Sequence, residues 1–89
     1  MAGHFVYVLE CSDGTLYTGY AVDVARRIAA HNSGRGAKYT AGRAPVRLMF
    51  VQELPTKKEA LRRESEIKGM PRDKKLELLE KRQGRKSSR

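Results

Sequence analysis

Five side chains stand out for the chemistry they could perform. Tyr7 and Tyr17 are phenols in two short runs rich in β-branched and aromatic residues, Phe5 to Glu10 and Thr15 to Tyr20. Arg27 and His31 lie four apart in a stretch of helical pattern, so they project together. Glu64 interrupts an apolar stripe of Ala60, Leu61 and Ile67. A carboxylate in such a stripe is costly unless it is paired or binds a metal, and a metal ion and an arginine partner are both open to it. Each of the others also has an ordinary reading. Tyrosine is a good strand residue, Arg27 can be a solvated charge, and His31 can be a helix-end cation favoured by the macrodipole.

The elements around them decide how they meet. Ser12-Asp13-Gly14 is turn chemistry between the two strand-like runs. A three-residue hairpin loop ends in a left-handed residue, and Gly14 stands at that place. This loop sets Tyr7 opposite Gly19 and Leu9 opposite Tyr17. The two phenols then share a face as diagonal neighbours, roughly 7–8 Å apart at the backbone. A two-residue loop at Asp13-Gly14 would shift the register by one and separate them.

Asp23 is a natural N-cap for a helix that runs to about Asn32 and is closed by Gly34. Its expected apolar stripe is Val24, Ala25, Ile28 and Ala29, with Arg27 and His31 at the border. Asn32 to Pro45 is a long connection holding Gly34, Gly36 and Gly42. It interleaves Arg35, Lys38 and Arg43 with Tyr39 and Thr40, a mixture suited to a phosphate backbone and a stacked base, though also to a flexible, solvated linker. Val46 to Leu54 reads as a third strand, with Leu48 and Phe50 on one face and Met49 and Val51 on the other. Thr56-Lys57-Lys58-Glu59 is a capping box that opens a helix ending at Lys68 before Gly69. Lys68 joins the basic residues expected to contact nucleic acid. A last helix is expected from Pro71 to about Arg82, packing through Leu76, Leu78 and Leu79. Residues 1–82 therefore form the expected domain, and 83–89 a basic disordered tail. The order is β-β-α-β-α-α. The first strand is apolar on both faces and belongs in the centre of a three-stranded sheet. The class is α+β, with the helices packed on the sheet.

Composition narrows the partners. Nineteen Lys and Arg stand against ten Asp and Glu in 89 residues, a net charge of +9. That excess favours a polyanion, with nucleic acid first. The apolar runs are too short for a membrane span. The lone Cys11 cannot close an internal disulfide, which suits a reducing, cytoplasmic setting. No zinc-type Cys/His spacing is present.

Taken together, the tyrosine pair, Arg27 and Glu64 form one pattern. The chain resembles the GIY-YIG nuclease superfamily, most closely its small stand-alone bacterial members, over roughly Phe5 to Leu79. The first motif is matched by Phe5-Val6-Tyr7 and the second by Tyr17-Thr18-Gly19. The motif arginine matches Arg27, a histidine one turn later matches His31, and the metal-binding glutamate matches Glu64. The stretch Gly36 to Thr40, GAKYT, is similar to the small-protein branch. Phe5 stands where the motif has glycine and Thr18 where it has isoleucine. An asparagine that larger members place after the glutamate has no counterpart, since the one asparagine, Asn32, precedes Glu64.

The resemblance implies a metal-dependent endonuclease acting on DNA, with Mg²⁺ (or Mn²⁺) held by Glu64. It implies that Tyr7 orients or deprotonates the attacking water, with nearby cations such as Arg27 favouring the phenolate. Arg27 would clamp phosphate oxygens with its planar fork. Tyr17 would hydrogen-bond the phosphate or hold Tyr7, and His31 would donate a proton or bind phosphate. The missing asparagine supports an alternative, a nucleic-acid-binding module that keeps the fold and cuts slowly or not at all.

Overall fold

The computed structural model describes residues 3–36, 40 and 42–87, with side chains as far as residue 80. Strand β1 (His4–Glu10) and strand β2 (Leu16–Ala21) form an antiparallel hairpin. Tyr7 pairs with Gly19 and Leu9 with Tyr17, the register the three-residue loop demands. The Gly14 N–H donates to the Cys11 carbonyl at 2.9 Å, and Gly14 is left-handed with φ 85°. Asp13 Oδ1 ties down the far side of the loop by accepting from the Thr15 N–H at 3.1 Å and the Thr15 hydroxyl at 2.6 Å. Strand β3 (Arg47–Leu54) pairs antiparallel with the other edge of β1, so the sheet order is β2-β1-β3 and β1 is central.

One part of β3 departs from strict alternation. Phe50 pairs with Val8 and Leu48 with Leu9, with a β-bulge between them that leaves Met49 without an opposite residue. A bulge sets two residues against one. Met49 and Phe50 therefore pack into the same core, and Leu48 is left exposed rather than sharing a buried face with Phe50.

Helix α1 (Val24–Asn32) begins at Asp23, whose Oδ1 accepts from the Arg26 N–H at 3.0 Å. Helix α2 (Lys57–Lys68) begins at Thr56, whose hydroxyl oxygen accepts from the Glu59 N–H at 3.1 Å. Helix α3 (Arg72–Ser87) begins just after Pro71, whose carbonyl accepts from Lys74 and Lys75. The helix runs past Arg82, where the expected boundary fell, and through most of the stretch expected to be a disordered tail. Residues 81–87 are mainly Lys, Arg and Gln, good helix formers, and one interior glycine, Gly84, costs only about 1 kcal/mol.

Two cores result, one on each face of the sheet. Val6 and Val8 face α2 and α3 and pack with Phe50, Ala60, Ile67 and Leu79. Tyr7 and Leu9 face α1 and pack with Cys11, Ala21 and Val46, joined by Tyr17, Val24 and Ile28. In each helix the inward line is narrower than the expected stripe. In α1 it runs through Val24, Ile28 and His31, leaving Ala25 and Ala29 exposed. In α2 it runs from Ala60 past Arg63 and Glu64 to Ile67, and Leu61 is exposed. In α3 Leu78 and Leu79 face inward while Leu76 is exposed. A step of one residue turns a helix by about 100°, enough to carry a neighbour out of contact.

Candidate active site

The site is built on the α1 side of the hairpin. The ring of Tyr7 lies across Gly19, so close that a Cβ at residue 19 would stand 2.5 Å from Tyr7 Oη and 2.6 Å from Cζ. Only glycine opposite Tyr7 admits the ring in this position. Tyr17 follows two residues earlier on the same face, with ring centroids 6.4 Å from Tyr7 and 5.2 Å from His31. His31 comes down from the last turn of α1, seven residues after Val24 and therefore on its inward line. The imidazole is not at the border of the helix face but wholly buried. Its Nε2 lies 3.1 Å from Tyr7 Oη, and its Nδ1 lies 2.7 Å from Thr40 Oγ1. Gly36 closes over the ring, where a side-chain carbon would collide with Nδ1. Nε2 so placed can exchange a proton with the Tyr7 hydroxyl.

Burial governs the protonation states. The Tyr7 phenol is pushed up to about 12, chiefly by desolvation, with Tyr17 and Glu64 adding to the rise and Arg27 opposing it. The pull of Arg27 has the expected direction, but burial outweighs it, so the phenol is not held as phenolate. His31 is lowered from its ordinary value by burial and by the nearby Arg27 charge. At neutral pH the pair is a protonated phenol beside a neutral imidazole. The charges acting on Tyr7 also show that Arg27 of α1 and Glu64 of α2 both lie within its electrostatic reach. Helix α2 packs across β1 and β2, which brings Glu64 to the hairpin.

Glu64 is 17% exposed, and its Oε2 lies 3.2 Å from Lys68 Nζ, one helical turn on. Its partner is a lysine of the same helix rather than an arginine. Lys68 is 54% exposed, and an ion pair so open to water is worth about 1 kcal/mol or less. The carboxylate can therefore exchange partners. No group of three or more His, Cys, Asp and Glu side chains is gathered among the described residues. One hard carboxylate oxygen donor fits a cation that keeps several waters and takes phosphate oxygens, as Mg²⁺ does. It does not fit a closed zinc-type site.

The expected nucleic-acid contacts are distributed unevenly. Arg35 is exposed just beyond α1, its backbone N–H closing the helix on the Ala30 carbonyl at 2.8 Å. Arg43 instead braces the hairpin loop. Its Nε donates to Asp13 Oδ2 at 2.9 Å, and its carbonyl accepts from the Ser12 N–H at 2.8 Å. Lys68 is the partner of Glu64. Lys38 and Tyr39 lie outside the described residues. Two polar residues carry weight that sequence reasoning missed. Thr40 is buried against His31, whereas the sequence marks it only as the end of the GAKYT stretch and gives it no role. Asn32 accepts the Val46 N–H on Oδ1 at 2.6 Å and so ties the end of α1 to the start of β3. Its position after a helical run and before glycine reads only as a helix end.

Comparison with known proteins agrees with this architecture. Residues 3–77 match the family described as the GIY-YIG catalytic domain. A UPF0213 protein of Staphylococcus aureus is 56% identical over 82 residues, covering 92% of this chain and 100% of that protein. The solution structure of the UPF0213 protein BH0048 from Bacillus halodurans superposes with a TM-score of 0.59 at 54% identity, covering 88% of this chain and 83% of that one. The solution structure of EF2693 from E. faecalis gives 0.64 at 40% identity, covering 91% and 86%.

Proposed function

The chain belongs to the GIY-YIG family, and from that premise we propose that it is a metal-dependent endonuclease hydrolysing phosphodiester bonds in DNA. The observation that carries this reading is the buried contact of 3.1 Å between Tyr7 Oη and His31 Nε2. A phenol raised to about 12 is a poor base alone. Beside a neutral imidazole it can pass its own proton to Nε2 while its oxygen takes a proton from the attacking water. The hydroxide so formed attacks phosphorus, the bond to the leaving oxygen breaks, that oxygen takes a proton from solvent water, and His31 returns its proton through Tyr7 to solvent. Arg27, exposed and within reach of Tyr7, is suited to hold the non-bridging oxygens and offset their charge. Tyr17 packs against both Tyr7 and His31 and fixes the angle between them. Glu64 is the residue that would hold Mg²⁺ or Mn²⁺. When bound there, the cation supplies charge neutralisation at the phosphate and the leaving oxygen. The net charge of +9 suits a nucleic-acid partner. Among the described residues no helix is long and apolar enough to cross a membrane, and with a buried free Cys11 a reducing cytoplasmic setting completes the proposal.

A second reading, a module that binds nucleic acid without cutting it, is favoured by the Glu64–Lys68 ion pair and by Asn32 being occupied in a structural bond. One experiment separates the two. Purified protein is incubated with labelled single-stranded, duplex and branched DNA and with RNA, each with Mg²⁺ and with a chelator, alongside Glu64→Gln. A nuclease cuts DNA only with the metal, and Glu64→Gln abolishes cutting while the melting temperature moves little, because the lost ion pair is half exposed. Salt-dependent binding without cleavage on any substrate would leave the binding module as the better reading.

A further inference from the structure

We propose that Thr40 is a positioning residue that selects the tautomer of His31, its Oγ1 accepting the Nδ1–H so that Nε2 stays free to receive the Tyr7 proton. Two arrangements of this chain of hydrogen bonds are conceivable. In one, the phenol O–H donates to Nε2 and Nδ1–H donates to the alcohol oxygen. In the other, the alcohol donates to Nδ1 and Nε2–H donates to the phenol oxygen. Acidity decides between them. A phenol is a far stronger donor than an aliphatic hydroxyl, and its oxygen is the poorer acceptor because a lone pair is delocalised into the ring. Which imidazole nitrogen carries the proton is set by the hydrogen bond at the other.

The surroundings hold the arrangement in place. His31 and Thr40 are both buried, at 0% and 1% exposure, and Gly36 packs directly on the imidazole. The carbonyl of Thr40 accepts the Arg43 N–H at 3.0 Å, and the Arg43 side chain is paired with Asp13 in the hairpin loop. Thr40 is thereby anchored through Arg43 to the same hairpin that carries Tyr7. The long loop after α1, which its basic residues marked as a nucleic-acid contact, sends one small hydroxyl inward to the proton relay. The catalytic consequence rests on the nuclease reading above, whereas the tautomer itself does not.

The test is nitrogen NMR on the full chain labelled with ¹⁵N-histidine, in wild type, Thr40→Ser and Thr40→Val, with cleavage measured on the same samples. His4 is the one other histidine and serves as an internal reference. The expected wild-type spectrum shows His31 with a protonated Nδ1 and an unprotonated Nε2. Thr40→Ser keeps that pattern and near wild-type cleavage. Thr40→Val, isosteric but without an acceptor, shifts the population toward the Nε2–H form and lowers single-turnover cleavage by at least about 10-fold, the scale on which groups that orient catalytic imidazoles act. An Nε2–H tautomer in wild type, or a Thr40→Val spectrum identical to wild type, overturns the proposal. Should Thr40→Val fail to fold, the wild-type and Thr40→Ser spectra still decide. A wild-type protein that cuts nothing while showing the Nδ1–H pattern sinks the nuclease reading and leaves the assignment of Thr40 standing.

Discussion

Successive residues of β1 face two different environments. Val6 and Val8 look toward α2 and α3 into a core of Phe50, Ala60, Ile67 and Leu79. Tyr7, on the opposite face, looks toward α1 into a pocket where a phenol, an imidazole and an alcohol are buried together. Both faces bury their side chains, but for different ends. The first gains stability from every side chain it covers, on the order of 1.5–3 kcal/mol for each large one. On the second, desolvation raises the Tyr7 phenol and lowers the His31 imidazole, which makes each the neutral partner of the other. The comparison teaches that a domain of this size can set an apolar core and a buried polar cluster on the two sides of a single central strand. Substitutions on one side should then leave the other nearly untouched.

The sharpest break of that symmetry is Tyr7→Phe. It keeps the ring over Gly19 and removes the oxygen that meets His31. Single-turnover cleavage should fall by about 10² to 10⁴, the usual contribution of a general base, while DNA affinity changes little because the lost contact acts in the transition state. Tyr17→Phe, from the same hairpin face, is the matched control. Full activity in Tyr7→Phe would remove the phenol from the mechanism.

The mirror-image experiment belongs to the other face. Ile67 is wholly buried between α2 and the sheet. Ile67→Ala should cost about 2–5 kcal/mol, a large part of the 5–15 kcal/mol typical of a domain. Urea titration measures the loss, and cleavage per folded molecule should stay at wild type. A drop in cleavage per folded molecule would show that the two faces are coupled, with Glu64 on the same helix as the obvious link.

The two faces were not equally legible. The hairpin register followed from the loop chemistry of Ser12, Asp13 and Gly14, because a loop of known length leaves one pairing. The helix starts followed from Asp23 and Thr56, whose side chains do locally what such residues do at helix ends. What escaped were features decided by tertiary contact. Helix phase is known only to within a residue from apolar spacing, so His31 was placed at a border it does not occupy, and Leu61 and Leu76 in stripes they do not join. The bulge at Met49 has no glycine or proline to announce it. Thr40 acquires its role from a loop that folds back on α1, and no local pattern encodes that return.

A smaller effect comes from the raised Tyr7 phenol. In the unfolded chain a tyrosine ionises near 10, whereas in the folded chain Tyr7 holds its proton to about 12. Between those values the unfolded chain releases a proton the folded chain keeps, so rising pH favours unfolding. The contribution is fully present below pH 10 and is lost progressively as pH rises through 12, about 3 kcal/mol in all. Lysines and other tyrosines titrate in the same range, so the measurement is a difference. Stability of wild type and Tyr7→Phe is compared from pH 9 to 12, and wild type should lose more. Equal slopes would mean that the folded chain does not hold the Tyr7 proton beyond the ordinary tyrosine range.

The smallest expected change runs the other way and tests how apolar the α2 face must be. Thr18 pairs with Val8 and points into that core, 3% exposed, and its hydroxyl has no hydrogen-bond partner among the described residues. The family motif has isoleucine at this position, so the hydroxyl is a departure on the face that otherwise avoids polar groups. An unsatisfied buried hydroxyl costs about 1–3 kcal/mol in proteins. Thr18→Val replaces it with a methyl of the same shape and should stabilise the chain by about 1 kcal/mol, raising the melting temperature by about 4–8 °C for a domain of this length. Cleavage should not change, because Thr18 points away from the face shared by Tyr17 and Gly19. A lower melting temperature in Thr18→Val would mean that the hydroxyl is satisfied in solution by a bound water, and that the α2 face is less dry than its side chains imply. A change in cleavage without a change in stability would place Thr18 with the chemistry and blur the division that the rest of the sheet maintains.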